Sequence, residues 1–209
     1  GAGACGRACS RKRRSPATGH GMSRNPRTAA LIGAPTDVGA GARGASMGPE
    51  ALRVAQLQAV LEAQGLEVID RGNLGGPPNP WQPPVSGYRH LPEVTEWNRL
   101  VHEAVLEELA AGRLPMLLGG DHSLAIGSIS AAAKHCRDSG RKLRVLWFDA
   151  HADFNTHVRT PSGNVHGMPV ACLCGHGPAE LVSIGGQVPA INPAQLRQIG
   201  IRSVDAGEK

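Results

Sequence analysis

The chain has 209 residues, 41% of them hydrophobic and 3% aromatic. That length suits one substantial core, no run is long and apolar enough for a membrane span, and aromatic rings are too few for the stacking platforms that grip single-stranded nucleic acid. The net charge of +5 is unevenly spread: residues 1–27 hold seven Arg or Lys and no acid, leaving 15 bases against 17 acids in the remainder.

Residues 1–27 read as a basic, disordered tail, rich in Gly, Ala, Ser and Arg and lacking the apolar stretch of a secretory signal. Its "RKRR" run, Arg11 to Arg14, is read as a solvated charge cluster in preference to a nucleic-acid patch. Met22 looks like a natural start, with the residues before it an extension of the frame. The five cysteines, Cys5, Cys9, Cys136, Cys172 and Cys174, form no disulfide framework and suit a reducing cytoplasm. Cys172-x-Cys174 is a lone pair, better suited to helix packing than to metal.

From residue 28 strands and helices alternate. "TAALIGAP" is a strand, followed by a helix from Pro49, at a first helical turn, through Leu61 to Gly65. "LEVID" is a second strand, Gly72 to Pro84 a surface loop, and Val94 to Ala111 a helix ending at Gly112. "LPMLLGG" is a buried strand, Ser123 to Cys136 a helix, and "LRVLWFD" another buried strand. This order, with apolar strands, predicts an α/β fold with a parallel sheet and helices on both faces. Ligands of such sheets collect at the carboxyl ends of the strands.

"GAGARG", Gly39 to Gly44, matches the G-x-G-x-x-G of dinucleotide sites, with Asp70 ending the next strand. Its glycines start several residues beyond the strand and the helix begins only at Pro49, so no helix N-terminus meets the turn. The glycines are instead expected to let a loop cross close to the site.

Two strand ends carry chemistry. "LLGGDHS" presents His122 after a tight Gly119-Gly120 turn, and "VLWFDAHADFNT" sets Asp149, His151 and Asp153 at every second position. An extended segment would aim all three side chains one way. It would also hold Asp149 and Asp153 roughly 13 Å apart, at about 3.3 Å per residue, too far to share an ion. The chain must therefore curl after Asp149. Such a cluster suits two ions sharing a bridging carboxylate, and oxygen-rich ligands without thiolate favour Mn²⁺ over structural Zn²⁺.

"GGDHS" (119–123), "DAHAD" (149–153) and "SGNVHGMP" (162–169), in this order and spacing, closely resemble the ureohydrolase family, and its arginase branch most. "IGAPTDVGAGARGASMGPEALR" (32–53) and "IGIRSVDAGE" (199–208) extend the resemblance over residues 28 to 209. It implies an arginase-like three-layer α/β/α fold, of which 28–209 is the N-terminal part, incomplete at the C-terminus. It implies hydrolysis of the guanidino group of L-arginine to L-ornithine and urea by hydroxide activated on two Mn²⁺. His122, Asp149 and Asp153 would hold one ion and His151 the other, with Asp149 bridging. Asn155 and Ser162 match positions that grip the substrate's α-carboxylate, Asp205 and Glu208 those near its α-amine, and His166 the proton shuttle. Asn155 and Ser162 equally suit turn caps, and His166 a structural hydrogen bonder. Asp121 is expected to orient the His122 imidazole.

The family also takes two ligands from an S-x-D-x-D stretch and a guanidinium-facing Glu beyond it, and the 209 residues contain no D-x-D. By that analogy one ion keeps three protein ligands of four and the other two. Beside an arginase-like enzyme stand an agmatinase-type ureohydrolase and a non-catalytic arginase-like binding or partner protein. A carboxylate grip argues against the former, because agmatine has no carboxylate, and the retained His151 and His166 argue against the latter. The resemblance further implies a small-molecule substrate, no nucleic-acid or membrane partner, and a homo-oligomer in the complete protein.

Overall fold

The computed structural model describes Gly1, residues 28–160, residues 162–205 and Glu208. The expected disordered tail, with Arg11–Arg14, Cys5, Cys9 and Met22, lies outside the described residues apart from Gly1. Strand β1 (Thr28–Ala34) runs between β2 (Glu67–Asn73) and β3 (Leu114–Gly119), parallel to both. Every β1 residue from Ala29 onward is buried, as befits a strand covered on both faces.

Helices α1 (Gly48–Val54) and α2 (Leu57–Ala63) follow β1, α3 (Leu91–Ala110) precedes β3, and α4 (Ala125–Asp138) follows it. Helix α3 buries Val94, Trp97, Val101 and Val105, spaced three or four apart, against Ile32, Leu124 and Ile126. Burying such a side chain contributes roughly 1.5–3 kcal/mol. The α3–α4 crossing is tight because position 127 is glycine, where a Cβ would stand 2.3 Å from the Asn98 carbonyl oxygen. Buried Asn98 spans the crossing, accepting from Gly127 N at 2.8 Å and donating to the Val94 carbonyl at 2.9 Å.

A second parallel pair joins β4 (Val145–Phe148) to β5 (Leu196–Ile199), with Val145 opposite Leu196 and Phe148 opposite Ile199. Val145 and Trp147 point into a core with Val170, Leu173 and Ile191, supplied by the short helix α5 (Pro169–Leu173) and the chain beyond it. Cys172 and Cys174 serve packing as expected: burial raises both thiol pKa values, that of Cys172 to about 12, which keeps them protonated and poor metal ligands.

Four expectations are corrected. Strand β3, expected to be buried, fully buries only Leu118 and leaves Leu114 exposed. The single helix from Pro49 is two, broken at Gln56, which is left-handed with φ 62°; this face is largely exposed, so packing does not hold the helix straight. Strand β2 is mostly exposed and reaches Asn73, into the expected loop. It is anchored at its outer edge by Arg53, which donates to Asp70 at 2.7 and 2.9 Å and to Asn73 at 2.6 Å. Strand β4, expected to be buried on both faces, alternates: Leu146 and Phe148 are 60% and 71% exposed.

Among the described residues, β3 pairs only with β1 and β4 only with β5, so apolar β3 and β4 each present an unpaired edge, a template for association. The 21.8 kDa chain is therefore expected to self-associate and to melt broadly, and Leu146→Lys with Phe148→Lys to reduce that association in sedimentation velocity. A clean wild-type monomer with a sharp cooperative melt would contradict this.

Candidate metal centre and cleft

The carboxyl ends of β3 and β4 bring three of the four predicted ligands, His122, Asp149 and Asp153, together. After β3 the chain turns sharply because Gly120 lies against Thr36, where a Cβ would sit 1.8 Å from the Thr36 carbonyl oxygen. A 3₁₀ turn, His122–Leu124, then presents His122. Asp121 does not orient the imidazole by a hydrogen bond as expected. Its carboxylate accepts from Ser123 N and from Gly39 N, both at 2.9 Å, capping the turn and pinning the glycine loop. That loop crosses beside the site, as the sequence suggested: a Cβ on Gly39 would meet Asp121 at 2.6 Å, and one on Gly41 would meet Asn164 at 2.8 Å.

After β4 the chain curls. Asp149 donates its N–H to the Ile199 carbonyl at 3.1 Å, and its carboxylate accepts from His151 N at 2.9 Å. Asp153 takes a left-handed conformation, φ 50°, while its carbonyl accepts from Val170 N at 3.0 Å. Donor atoms of His122, Asp149 and Asp153 consequently lie within 4.8 Å of one another. Nδ1 of His122 is 3.0 Å from Asp149 Oδ2 and 2.9 Å from Asp153 Oδ2, and Nδ1 of His151 is 3.4 Å from Asp149 Oδ1. Asp149 thus faces one imidazole with each oxygen.

The His122 ring stacks on Trp147, centroids 4.4 Å apart. Burial pushes the His122 pKa down, but the hydrogen bond and charge of Asp153, with the charges of Asp149 and Asp121, outweigh it, and the pKa lies above the ordinary histidine value. Burial would raise the Asp149 pKa, yet the His151 N–H and the nearby imidazoles hold it below the usual carboxylate value. Two carboxylates and the His122 imidazole within that span fit a divalent cation in donor type and spacing, while His151 is exposed and lies outside the group, beside Asp149 alone.

A cleft of about 300 Å³ leads away from this cluster, lined by His151 and Asp153 at one end and by Asn155, Ser162, His166, Asp205 and Glu208. All the sequence-predicted substrate residues therefore share one cavity. Asn155 Nδ2 donates to Asp205 Oδ2 at 3.0 Å. Glu208 accepts from Phe154 N at 2.9 Å and Asp205 N at 2.8 Å, tying the segment after β5 to the curl after β4. Thr160, Asn164 and Ser203 also line the cleft and were not singled out from sequence. The signal was present for two of them: Thr160, Ser162, Asn164 and His166 fall at every second position. Among its described lining residues the cleft holds carboxylates and imidazoles but no lysine or arginine, so its field favours a cationic ligand.

A parallel α/β protein with carboxylates and an imidazole gathered at its strand ends carries its candidate site where ligands of this fold class collect. The Arginase family model matches residues 27–209, and the chain belongs to that family. It is 42% identical over 181 residues to the arginase of Bacillus caldovelox and 40% identical over 179 to that of Brevibacillus brevis, in each case over 86% of this chain and 59% of the relative. The solved B. caldovelox arginase superposes with a TM-score of 0.80 at 40% identity, covering 88% of this chain and 60% of that one. The arginase of Entamoeba histolytica, solved in complex with L-ornithine, gives 0.79 at 34%, covering 88% and 61%. The chain thus spans about three-fifths of the length of these relatives.

Because a metal ligand must be deprotonated and the His122 pKa is raised, protons compete with the ion up to a higher pH than at an ordinary histidine. Mn²⁺ affinity is expected to climb with pH through about 6.5, the ordinary histidine value, and to level off above the His122 pKa, with proton release on binding. Asp149→Asn should weaken binding by about tenfold or more. Calorimetric titration checks both, and a pH-independent affinity or an unaffected Asp149→Asn protein would contradict them.

Proposed function

We propose that the chain is the amino-terminal part, residues 28–209, of an arginase-like α/β domain that hydrolyses the guanidino group of L-arginine to L-ornithine and urea with two Mn²⁺ in the complete site. The observation that supports this most is the single cleft joining the ligand cluster to Asn155, Ser162 and Asp205. His122, Asp149 and Asp153 would hold one ion, and His151 with the bridging Asp149 part of the other. Bound divalent ions acidify water and so supply a nucleophile near neutral pH, which the resonance-stabilised guanidinium requires.

The chain's own residues do the rest. Asn155 keeps one amide N–H beyond the one given to Asp205, and with the Ser162 hydroxyl would grip the α-carboxylate. Asp205 retains Oδ1 for the α-ammonium, while Glu208, with each oxygen taking a backbone N–H, sets the position of Asp205. Fixing the far end of the substrate converts binding into orientation at the guanidino carbon. His166, on the cleft wall, would give its proton to the departing amine. The proposed setting is the cytoplasm, as a homo-oligomer; Cys136, Cys172 and Cys174 are unpaired thiols, and no described helix is long and apolar enough to cross a membrane.

These 209 residues contain no D-x-D. With half its protein ligands lacking, the second ion has neither the neutralising charge nor the fixed geometry it needs. The chain alone is therefore expected to hold at most one weakly bound Mn²⁺ and to release no appreciable urea. Fused to the carboxyl-terminal segment of the B. caldovelox arginase, it should hydrolyse L-arginine at least about a hundredfold better than agmatine in kcat/KM, since a site built to hydrogen-bond a carboxylate rejects a substrate lacking it. Asn155→Ala with Ser162→Ala should remove most of that preference. Equal turnover of both substrates would overturn the arginase reading.

A further inference from the structure

A second cavity, of about 450 Å³, lies between the end of α4, the loop 139–144 and the segment leading into β5. Arg144 immediately precedes β4 and Gln195 immediately precedes β5, so the cavity sits at the amino ends of the two strands. The metal centre lies beyond their carboxyl ends, with β4 alone putting roughly 13 Å between Val145 and Asp149. The proposed reaction makes no use of it.

Arg137, Arg141, Lys142 and Arg144 line this cavity, and its lining contains no carboxylate. None of the four makes an ion pair with a described residue. The nearest acid in sequence, Asp138, is taken by Lys134 at 2.7 Å. The negative end of the α4 dipole accounts for Arg137, in the last turn of that helix, whose guanidinium donates to the Ala190 and Gly185 carbonyls at 3.2 and 3.1 Å. It does not account for Arg141, Lys142 and Arg144, whose like charges around one opening repel each other. The walls are fixed: Asn192 and Gln195 form a reciprocal cap, Gln195 Nε2 reaches the Leu143 carbonyl at 3.3 Å, and Arg141 N donates to the Cys136 carbonyl at 2.7 Å.

We propose that this pocket binds a small, multiply charged phosphate ligand of diphosphate or nucleotide size on Arg137, Arg141, Lys142 and Arg144. Its volume falls in the small-molecule range. Three of its four cations are arginines, whose planar forks match phosphate oxygens in pairs. Four positive charges call for a ligand with several negative ones, since a monoanion would leave most of the repulsion in place.

Cys136 lines the same cavity and reports on its occupancy. The full chain, freed of metal by dialysis, is alkylated with and without inorganic pyrophosphate at constant ionic strength, and modification at Cys136 is followed by peptide mass spectrometry. At ten times its dissociation constant, pyrophosphate should slow that modification about tenfold. Arg141→Ala with Arg144→Ala should abolish the protection, and Lys142→Gln, a milder change that tests the case should the double variant misfold, should weaken it. No protection, equal protection by sodium chloride, or undiminished protection in both variants would overturn the proposal. Stronger protection by citrate would overturn the phosphate class, and protection by a single-stranded oligonucleotide but not pyrophosphate would overturn a small-molecule site.

Discussion

The left-handed turn at Asp153 is the constraint on which the site depends. In an extended segment Asp149 and Asp153 could not meet one ion, and with Asp153 at φ 50° both carboxylates come within hydrogen-bonding distance of His122. A non-glycine residue held there stores strain of about 1–3 kcal/mol, and the surroundings that enforce it are buried. The Asp153 carbonyl is held by Val170 at the start of α5, itself part of the core beneath β4. On the other side, Asp121 clamps the His122 turn to the Gly39 loop, and Trp147 lies against the His122 ring. Packing thus concentrates negative charge that a cation relieves; in its absence a protonated His122 relieves part of it, the sense in which its pKa is displaced.

The two ends of the β4–β5 pair carry opposite charge. At the carboxyl ends, the ligand cluster and the cleft residues Asp205 and Glu208 present carboxylates; at the amino ends, Arg137, Arg141, Lys142 and Arg144 present cations. Residues 28–209 have a small net charge, so the polarity comes from where charges lie, not from how many there are. The field at each end therefore favours ligands of opposite sign.

Much of the fold could be read from residue patterns. The apolar run of β1 was legible because burial on both faces demands it, and Asp149 and Asp153 stood out because carboxylates at period two after an apolar strand would point one way. The α1–α2 break was hidden: no glycine or proline marks Gln56, and its exposed surroundings leave no packing pattern to read. Leu146 and Phe148 are as apolar as Val145 and Trp147, so sequence could not say that one face of β4 stands open. The left-handed Asp153 followed only as a requirement to curl, without its place. Thr160 and Asn164 repeat the period-two signal of the ligands in neutral side chains, which loops also use as turn formers. The cationic pocket gathers Arg137 with the 141–144 segment and the approach to β5, a juxtaposition that only the fold creates.

Pulsed electron paramagnetic resonance of Mn²⁺ bound to the full chain tests the centre most directly, because nitrogen hyperfine coupling identifies an imidazole on the ion. The predicted result is coupling from a single imidazole that vanishes in His122→Ala and persists in His151→Ala. Coupling that survives the loss of His122 would contradict the assignment of His122, Asp149 and Asp153 as the ion's ligands.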